Sequence, residues 1–307
     1  MRISEIQIRD PFVVPEGGRY YLFGSTDRDI WKGPGTGFDG YVSAFDGSLT
    51  DFEGPFPAFR PPEDFWSETN FWAPEVHRYQ GGWYMFATFK PKKGSRGTAI
   101  LKSKGGILGP YAPWSWAAPG VSGPVTPGEW DCLDGTFFTE RGIPYLVFCH
   151  EWQQVGDGEI CALPLSGDLR RAAGAPVLLF HASEAPWSHA LAGRAPGSYV
   201  TDGPFMYPTQ KGGLLMLWSS FDARGKYCIG VARSEDGALT GPWVQEQEPL
   251  YRGDGGHGML FPSIEGTLYL ALHTPNQTPF ERALFVPVRE APDTGGKGSP
   301  KTLVLAG

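Results

Sequence analysis

The chain has 307 residues with a net charge of −7, so it offers no basic surface for a phosphate backbone or an anionic membrane, and a neutral ligand is easier to accommodate. Its 43 glycines, 29 prolines and 14% aromatic residues, against 19% charged, describe many short strands joined by tight turns rather than long helices. The length suits one large all-β unit or two ordinary domains.

Strand-like sequence begins within a few residues of Met1 with no charged-then-apolar leader before it, which points to a cytoplasmic protein or one whose leader has been removed. The first unit opens on Arg9-Asp10-Pro11-Phe12, a carboxylate at the head of an apolar run. It passes a turn at Pro15-Glu16-Gly17-Gly18 and returns through Tyr20-Tyr21-Leu22-Phe23. The same strand, turn, strand plan recurs from Trp72-Ala73-Pro74-Glu75-Val76 to Trp83-Tyr84-Met85-Phe86. It recurs again from Leu133-Asp134-Gly135-Thr136 to Tyr145-Leu146-Val147-Phe148, from Asp202-Gly203-Pro204-Phe205 to Leu214–Trp218, and from Gly256-His257-Gly258-Met259 to Leu268-Tyr269-Leu270.

These units are roughly 55 to 70 residues long, more than the ~40 to 50 of common propeller repeats. Three of them close on a shared phrase, Glu53-Gly54-Pro55-Phe56, Leu108-Gly109-Pro110-Tyr111 and Thr240-Gly241-Pro242-Trp243. Five units of three or four antiparallel strands predict a five-bladed β-propeller, an all-β fold in which radial repetition leaves only short, protected edges. A pair of β-sandwiches lacks a linker near mid-chain, and a β-helix needs a much shorter period. Residues 1–307 are therefore expected to form a single propeller domain. The stretch 291–307 is expected to be a tail or a closing strand, with Asp293 to Ser299 flexible. Cys132, Cys149, Cys161 and Cys228 show no short paired spacing and read as buried thiols. No run approaches the roughly 18 apolar residues of a membrane span.

In a propeller the innermost strands all start at one face, so Asp10, Glu75, Asp134, Asp202 and His257 are expected to converge on the axis. Residues ending the second strands, Thr26-Asp27, Phe89, Glu151-Trp152 and Phe221, are expected to rim the same pocket. Several carboxylates in one funnel suit hydrolysis of a glycosidic bond, where one carboxylate activates water and a protonated partner assists the leaving oxygen. Proximity separates their pKa values and hence their roles. Trp31, Trp72, Trp152 and Phe221 supply faces on which a sugar could stack. The competing explanation is that Asp-Gly and Asp-Pro simply open strands as turn residues, which accounts for one such pair more easily than for three in equivalent places.

The ordered set Arg9-Asp10-Pro11-Phe12, Trp72-Ala73-Pro74-Glu75-Val76, Leu133-Asp134-Gly135-Thr136, Asp202-Gly203-Pro204-Phe205-Met206-Tyr207 and Gly256-His257-Gly258 resembles the successive blade motifs of family 43 glycoside hydrolases. That resemblance implies an inverting enzyme for α-L-arabinofuranosides, β-xylosides and some galactosides, with a small oligosaccharide as its partner molecule. By position, Asp10 matches the general base and Asp134 the carboxylate that orients the acid and tunes its pKa. Trp72 matches an aromatic wall, and His257 an axial histidine that in many relatives lies beside a hydrated metal ion, often calcium. The family's acid is a glutamate before Gly-Pro, and here that place holds Asp202, whose carboxyl is set back by about 1.5 Å. The donor is then either Asp202, which holds the family position, or Glu151, at the end of the third unit's second strand, whose longer side chain restores the reach. Glu75 reads as a hydrogen-bonding partner rather than a catalyst, while Arg282 could pair with an axial carboxylate or reach substrate. The alternatives are a propeller that binds sugars without turning them over, motivated by the missing glutamate, and a glycosidase for another sugar. A retaining fructan-type enzyme is disfavoured because its Asn-Asp-Pro opening and Glu-Cys phrase are absent.

Overall fold

The computed structural model describes residues 1–44, 47–291 and 302–306. Five four-stranded antiparallel sheets follow one another along the chain, each with its strands in sequence order from the axis outward. Blade 1 comprises Arg9–Glu16, Arg19–Ser25, Phe38–Ser43 and Phe52–Phe59, and blade 2 Thr69–Tyr79, Gly82–Lys90, Gly97–Gly106 and Gly109–Pro113. Blade 3 comprises Cys132–Glu140, Ile143–His150, Glu159–Pro164 and Val177–His181, and blade 4 Asp202–Pro208, Leu214–Phe221, Tyr227–Ser234 and Trp243–Gln245. Blade 5 takes Gly256–Pro262, Leu268–Thr274, Arg282–Glu290 and Leu303–Leu305. This is the five-bladed propeller expected from the repeats. The Gly-Pro phrases sit in or just before the outermost strands of blades 1, 2 and 4.

Local chemistry explains the hairpins. The turns at Gly17-Gly18, Gln80-Gly81 and Arg141-Gly142 hold both central residues at positive φ, the conformation whose twist matches two-residue hairpin loops. Second strands such as Leu214–Phe221 are buried on both faces, so they read as continuous apolar runs instead of alternating ones. Each blade face packs on its neighbour through its own apolar cluster. Examples are Phe38, Phe59, Phe71 and Phe89 between blades 1 and 2, and Phe180, Trp187 and Trp218 between blades 3 and 4.

The ring closes without strand exchange. Blade 5 completes itself with Leu303–Leu305, paired to Arg282–Glu290. The expectation of flexibility for Asp293 to Ser299 lies outside the described residues. Ile8, Phe12 and Leu22 of blade 1 meet Met259, Phe261 and Ala271 of blade 5 in a shared cluster, and the Ile264 N–H donates to the Tyr20 hydroxyl at 2.7 Å. Arg282 belongs to this seam. Its Nε donates to the Ser4 carbonyl at 3.0 Å and its Nη1 to the carbonyls of Pro279 and Glu281, so it reaches neither an axial carboxylate nor the pocket, contrary to expectation. All four cysteines are buried free thiols.

The innermost strands share one irregularity that positions the site. Pairing with the second strand slips between Arg9 and Phe12, Trp72 and Glu75, Leu133 and Thr136, Asp202 and Phe205, and Gly256 and Met259. Within each bulge one residue takes a left-handed φ: Asp10 54°, Ala73 47°, Asp134 55°, Gly203 51° and His257 52°. The true axial equivalents in blades 2 and 4 are therefore Ala73 and Gly203, and Glu75 and Asp202 are offset from them. Glycine is required at 203 because a Cβ there would lie 2.8 Å from the His257 ring.

Each bulge leaves an N–H without a ladder partner, and the preceding blade supplies the acceptor. Ser25 Oγ accepts from Ala73 at 2.8 Å, Thr88 Oγ1 from Asp134 at 2.8 Å, Ser219 Oγ from His257 at 2.8 Å and His273 Nδ1 from Asp10 at 3.2 Å. In the remaining blade the corresponding position is Cys149, a poor acceptor, and the Gly203 N–H turns to the Asp134 carboxylate at 3.1 Å.

Candidate active site

At the face where the innermost strands begin, a cavity of about 350 Å³ opens over the axis. Asp10, Asp134, Asp202, Glu151, Trp31, Trp72, Trp152, Phe221 and His257 all line it, as the sequence predicts. Glu75 does not. It lies deeper on the inner strand of blade 2 and is bonded to His77 Nε2 at 2.7 Å, which places it as a structural partner away from the cavity. Phe89 is in the core between blades 1 and 2, and the Asp27 carboxylate is taken up by Thr36, so neither rims the cavity.

Asp10 is the best solvated of the acids by protein groups. Ser25 Oγ donates to its Oδ2 at 2.6 Å, His257 Nδ1 lies 3.2 Å from its Oδ1, and its own N–H is held by His273. Burial alone would raise its pKa. His257 and Arg9 around it and the Ser25 hydroxyl outweigh that and hold it below the ordinary carboxylate value. His273 accepts on Nδ1, so its ring is neutral with the proton on Nε2, facing Asn276 Oδ1 at 3.5 Å. Burial, with Arg9 nearby, pushes its pKa down to about 3, consistent with that neutral form. Its 3.5 Å approach to Asp10 Oδ1 is therefore a polar contact rather than an ion pair.

The other three carboxyls face the opposite balance. Asp134 is raised by burial and then by the charge of Asp10, although the Gly203 N–H favours its anion. Asp202 is pushed up to about 7 by burial and by Asp134, while Tyr227 donates to its Oδ2 at 2.9 Å and pulls the other way. Glu151 is pushed up to about 7 by burial above all. Four anions cannot coexist in so dry a space. One stays charged where donors surround it, and its neighbours retain protons.

Residues with no repeat to betray them complete the walls. Arg96, from the loop before the third strand of blade 2, forms a fork with Asp131 (2.8 and 2.6 Å) and lies over the Trp72 ring at 5.4 Å. Arg9 donates to Asn276 Oδ1 at 2.8 Å and lies over Trp31 at 5.2 Å. Trp31 and Trp72 meet edge to face at 5.3 Å, and their indole N–H groups are tied to Thr278 Oγ1 and the Ile30 carbonyl. Tyr227, Asn276 and Thr278 also line the cavity. Only Arg9 stood inside a motif. The others lie in blade edges and loops without counterparts in sister blades.

Calcium takes oxygen donors, typically six to eight. The nearest candidate ligand, His257, offers nitrogen, and its Nδ1 sits between Asp10 Oδ1 at 3.2 Å and Asp134 Oδ2 at 3.6 Å. Among the described residues no group of three or more His, Cys, Asp or Glu side chains is arranged to hold a metal ion. These groups do not make up a calcium site built from protein donors; a hydrated ion beside His257 would take most of its oxygens from water, and no step below is routed through one.

Comparison with known proteins agrees with this architecture. The family model described as glycosyl hydrolases family 43 matches residues 3–291. A solved endo-arabinase from Bacteroides thetaiotaomicron VPI-5482 is similar at 38% identity with a TM-score of 0.83, covering 94% of this chain and 96% of that one. An α-L-arabinofuranosidase 43 from Humicola insolens is 26% identical over 59% of this chain and 36% of its own length. An extracellular exo-α-(1→5)-L-arabinofuranosidase from Streptomyces chartreusis is 25% identical over 60% of this chain and 53% of its own, so the matches span about a third to a half of these two relatives. A family model that accounts for nearly every described residue, on a propeller shared almost end to end with a relative at 38% identity, places this chain in glycoside hydrolase family 43.

Proposed function

We propose that the protein is an inverting, exo-acting glycosidase that removes terminal α-L-arabinofuranosyl residues from short plant-derived oligosaccharides, with terminal β-xylosyl residues as the second candidate. The observation that carries this reading is the division of charge in the axial cavity, where Asp10 is held ionised while Asp134, Asp202 and Glu151 are held toward their protonated forms. A charged carboxylate can accept a proton from water while a protonated one gives its proton to the departing oxygen. In an inverting displacement, water attacks the anomeric carbon as the glycosidic C–O bond breaks. Asp10 takes the water's proton, and Asp202 or Glu151 protonates the leaving group. Asp134, beside Gly203 and His257, orients the sugar and the acid.

A volume of about 350 Å³ lies at the small end of the ~300 to 1,000 Å³ typical of ligand pockets, which favours one terminal sugar over a polymer running through. Arabinose is favoured because the relatives named above are arabinosyl-cleaving by name. The test is release of 4-nitrophenol from a panel of 4-nitrophenyl arabinofuranosides, xylosides and galactosides, followed by NMR of the first-formed sugar. Appearance of β-arabinose first from an α-linked substrate supports the reading, and initial retention overturns the mechanism. Binding without turnover of any glycoside would favour a sugar-binding propeller.

A further inference from the structure

We propose that the proton donor is Glu151, delivered from blade 3, and that Asp131 is the positioning residue that leaves it able to hold its proton by occupying the Arg96 guanidinium. This deepens the glycosidase reading and rests on it.

Glu151 is only 3% exposed, yet it lines the cavity and its Oε1 has no hydrogen-bond partner. A buried carboxylate oxygen without a donor is costly as an anion, so the site favours the acid form, whose proton is free for an incoming oxygen. Asp202 differs on both counts. Tyr227 already donates to its Oδ2 at 2.9 Å, which favours the anion, and its chain is shorter by one carbon. The backbone at Glu151 is also fixed. Its N–H donates to the Asp131 carbonyl at 2.8 Å, and a one-turn helix, Trp152–Val155, begins at once. Gln154 of that turn accepts from the Asp131 N–H at 2.7 Å and donates to the Glu129 carbonyl at 2.9 Å.

The charge that threatens this arrangement is Arg96, whose Nη2 is 3.5 Å from Glu151 Oε2. Free, it would draw Glu151 into a buried ion pair and strip its proton. Asp131 prevents this by accepting from the Arg96 backbone N–H and from Nε at one oxygen and from Nη2 at the other, at 2.9, 2.8 and 2.6 Å. The remaining groups facing Glu151 are the Gln153 N–H, which favours the anion, and on the other side the carboxylates of Asp131, Asp134 and Asp202 and the Cys149 thiol. The acids resist a further negative charge, and the thiol stays neutral because burial drives its pKa up. In the reaction, Glu151 passes its proton to the departing oxygen as the glycosidic C–O bond breaks, while Asp10 takes the proton of the attacking water. Solvent then restores both groups.

Kinetics on a 4-nitrophenyl glycoside and on the methyl glycoside of the same sugar test the donor. Glu151→Gln should lose on the order of 10²- to 10⁴-fold in kcat/KM on the methyl glycoside and far less on the aryl one, because only the poor leaving group depends on the acid. Asp202→Asn should lose both alike. Asp131→Asn should move the alkaline limb of the pH–rate profile to lower pH by about one unit or more, since an unopposed neighbouring cation lowers a carboxyl pKa by ~1 to 3 units. Asp131→Glu should restore the limb. If Asp131→Asn does not fold, Arg96→Met gives the opposite reading, with the limb moving to higher pH. A Glu151→Gln enzyme with equal losses on both substrates, or a limb unmoved in the Asp131 or Arg96 variants, overturns this assignment while leaving the glycosidase reading in place. Folded wild-type protein that cleaves no glycoside overturns both.

Discussion

Asp10 illustrates how one side chain acquires its chemistry from neighbours far away in sequence. Its two oxygens and its N–H are occupied by Ser25, His257 and His273, so replacing the carboxylate by an isosteric amide keeps shape but removes proton acceptance. Asp10→Asn is expected to lose about 10²- to 10⁴-fold in kcat while its circular dichroism and its affinity for a monosaccharide product stay near wild type. A kcat within threefold of wild type would remove Asp10 as the base. Asp10, Asp134 and His257 were legible in the sequence for a physical reason: a bulge at left-handed φ tolerates Asp and His better than most residues, so function and backbone select the same letters. The same logic misplaced blade 4. There the bulge took Gly203, because any Cβ strikes His257, and the acidic residue moved one place upstream. Arg96 and Asp131 were not legible, since a loop arginine and a strand-entry aspartate become meaningful only once blades 2 and 3 lie side by side.

At the level of strands, the five bulges convert a periodic sequence into a ring of axial groups. Four of the five are satisfied from one register position, opposite the residue that precedes a bulge, by Ser25, Thr88, Ser219 and His273; in blade 3 that position holds Cys149, and the Asp134 carboxylate takes its place. Removing such an acceptor leaves a buried N–H unpaired. Ser219→Ala should therefore destabilise the fold by about 1–3 kcal/mol and loosen His257 against Asp10. Urea unfolding and kcat together check this. Unchanged stability with unchanged kcat would show that the His257 N–H finds another partner. The strand pattern itself was readable from continuous apolar runs and Gly-containing turns. The slips in register were not, because no single residue type marks them.

For the molecule as a whole, the buried acids link folding to pH. Asp202 and Glu151 have folded-state pKa values raised from 3.8 and 4.5 to about 7, and Asp134 is raised as well. The folded protein thus binds more protons than the unfolded chain between about pH 4 and pH 7, so stability falls as pH rises through that window. Asp10, shifted the other way, acts only below its ordinary range. Melting temperature should drop from pH 5 to pH 8, and Glu151→Gln should flatten part of the drop. A wild-type curve that rises over this range would contradict the charge assignment. Exhaustive treatment with EDTA is expected to leave the melting temperature unchanged, because Asp10 and Asp134 beside His257 supply fewer oxygens than a tight calcium site takes. A fall reversed by added calcium would reveal an ion held at that position.

The bond from the Asp10 N–H to His273 spans 263 residues, almost the full length of the chain. During synthesis Asp10 waits for a residue made 263 positions later, and until blade 5 docks it has neither its imidazole neighbours nor a closed cavity. A ribosome-bound fragment of four blades would carry Asp134, Asp202 and Glu151 but no tuned acceptor for the water proton. If Asp10 is the base, hydrolytic competence is expected to arrive in one step, with the completed circle, and a chain terminated before residue 257 is expected to be inert toward glycosides.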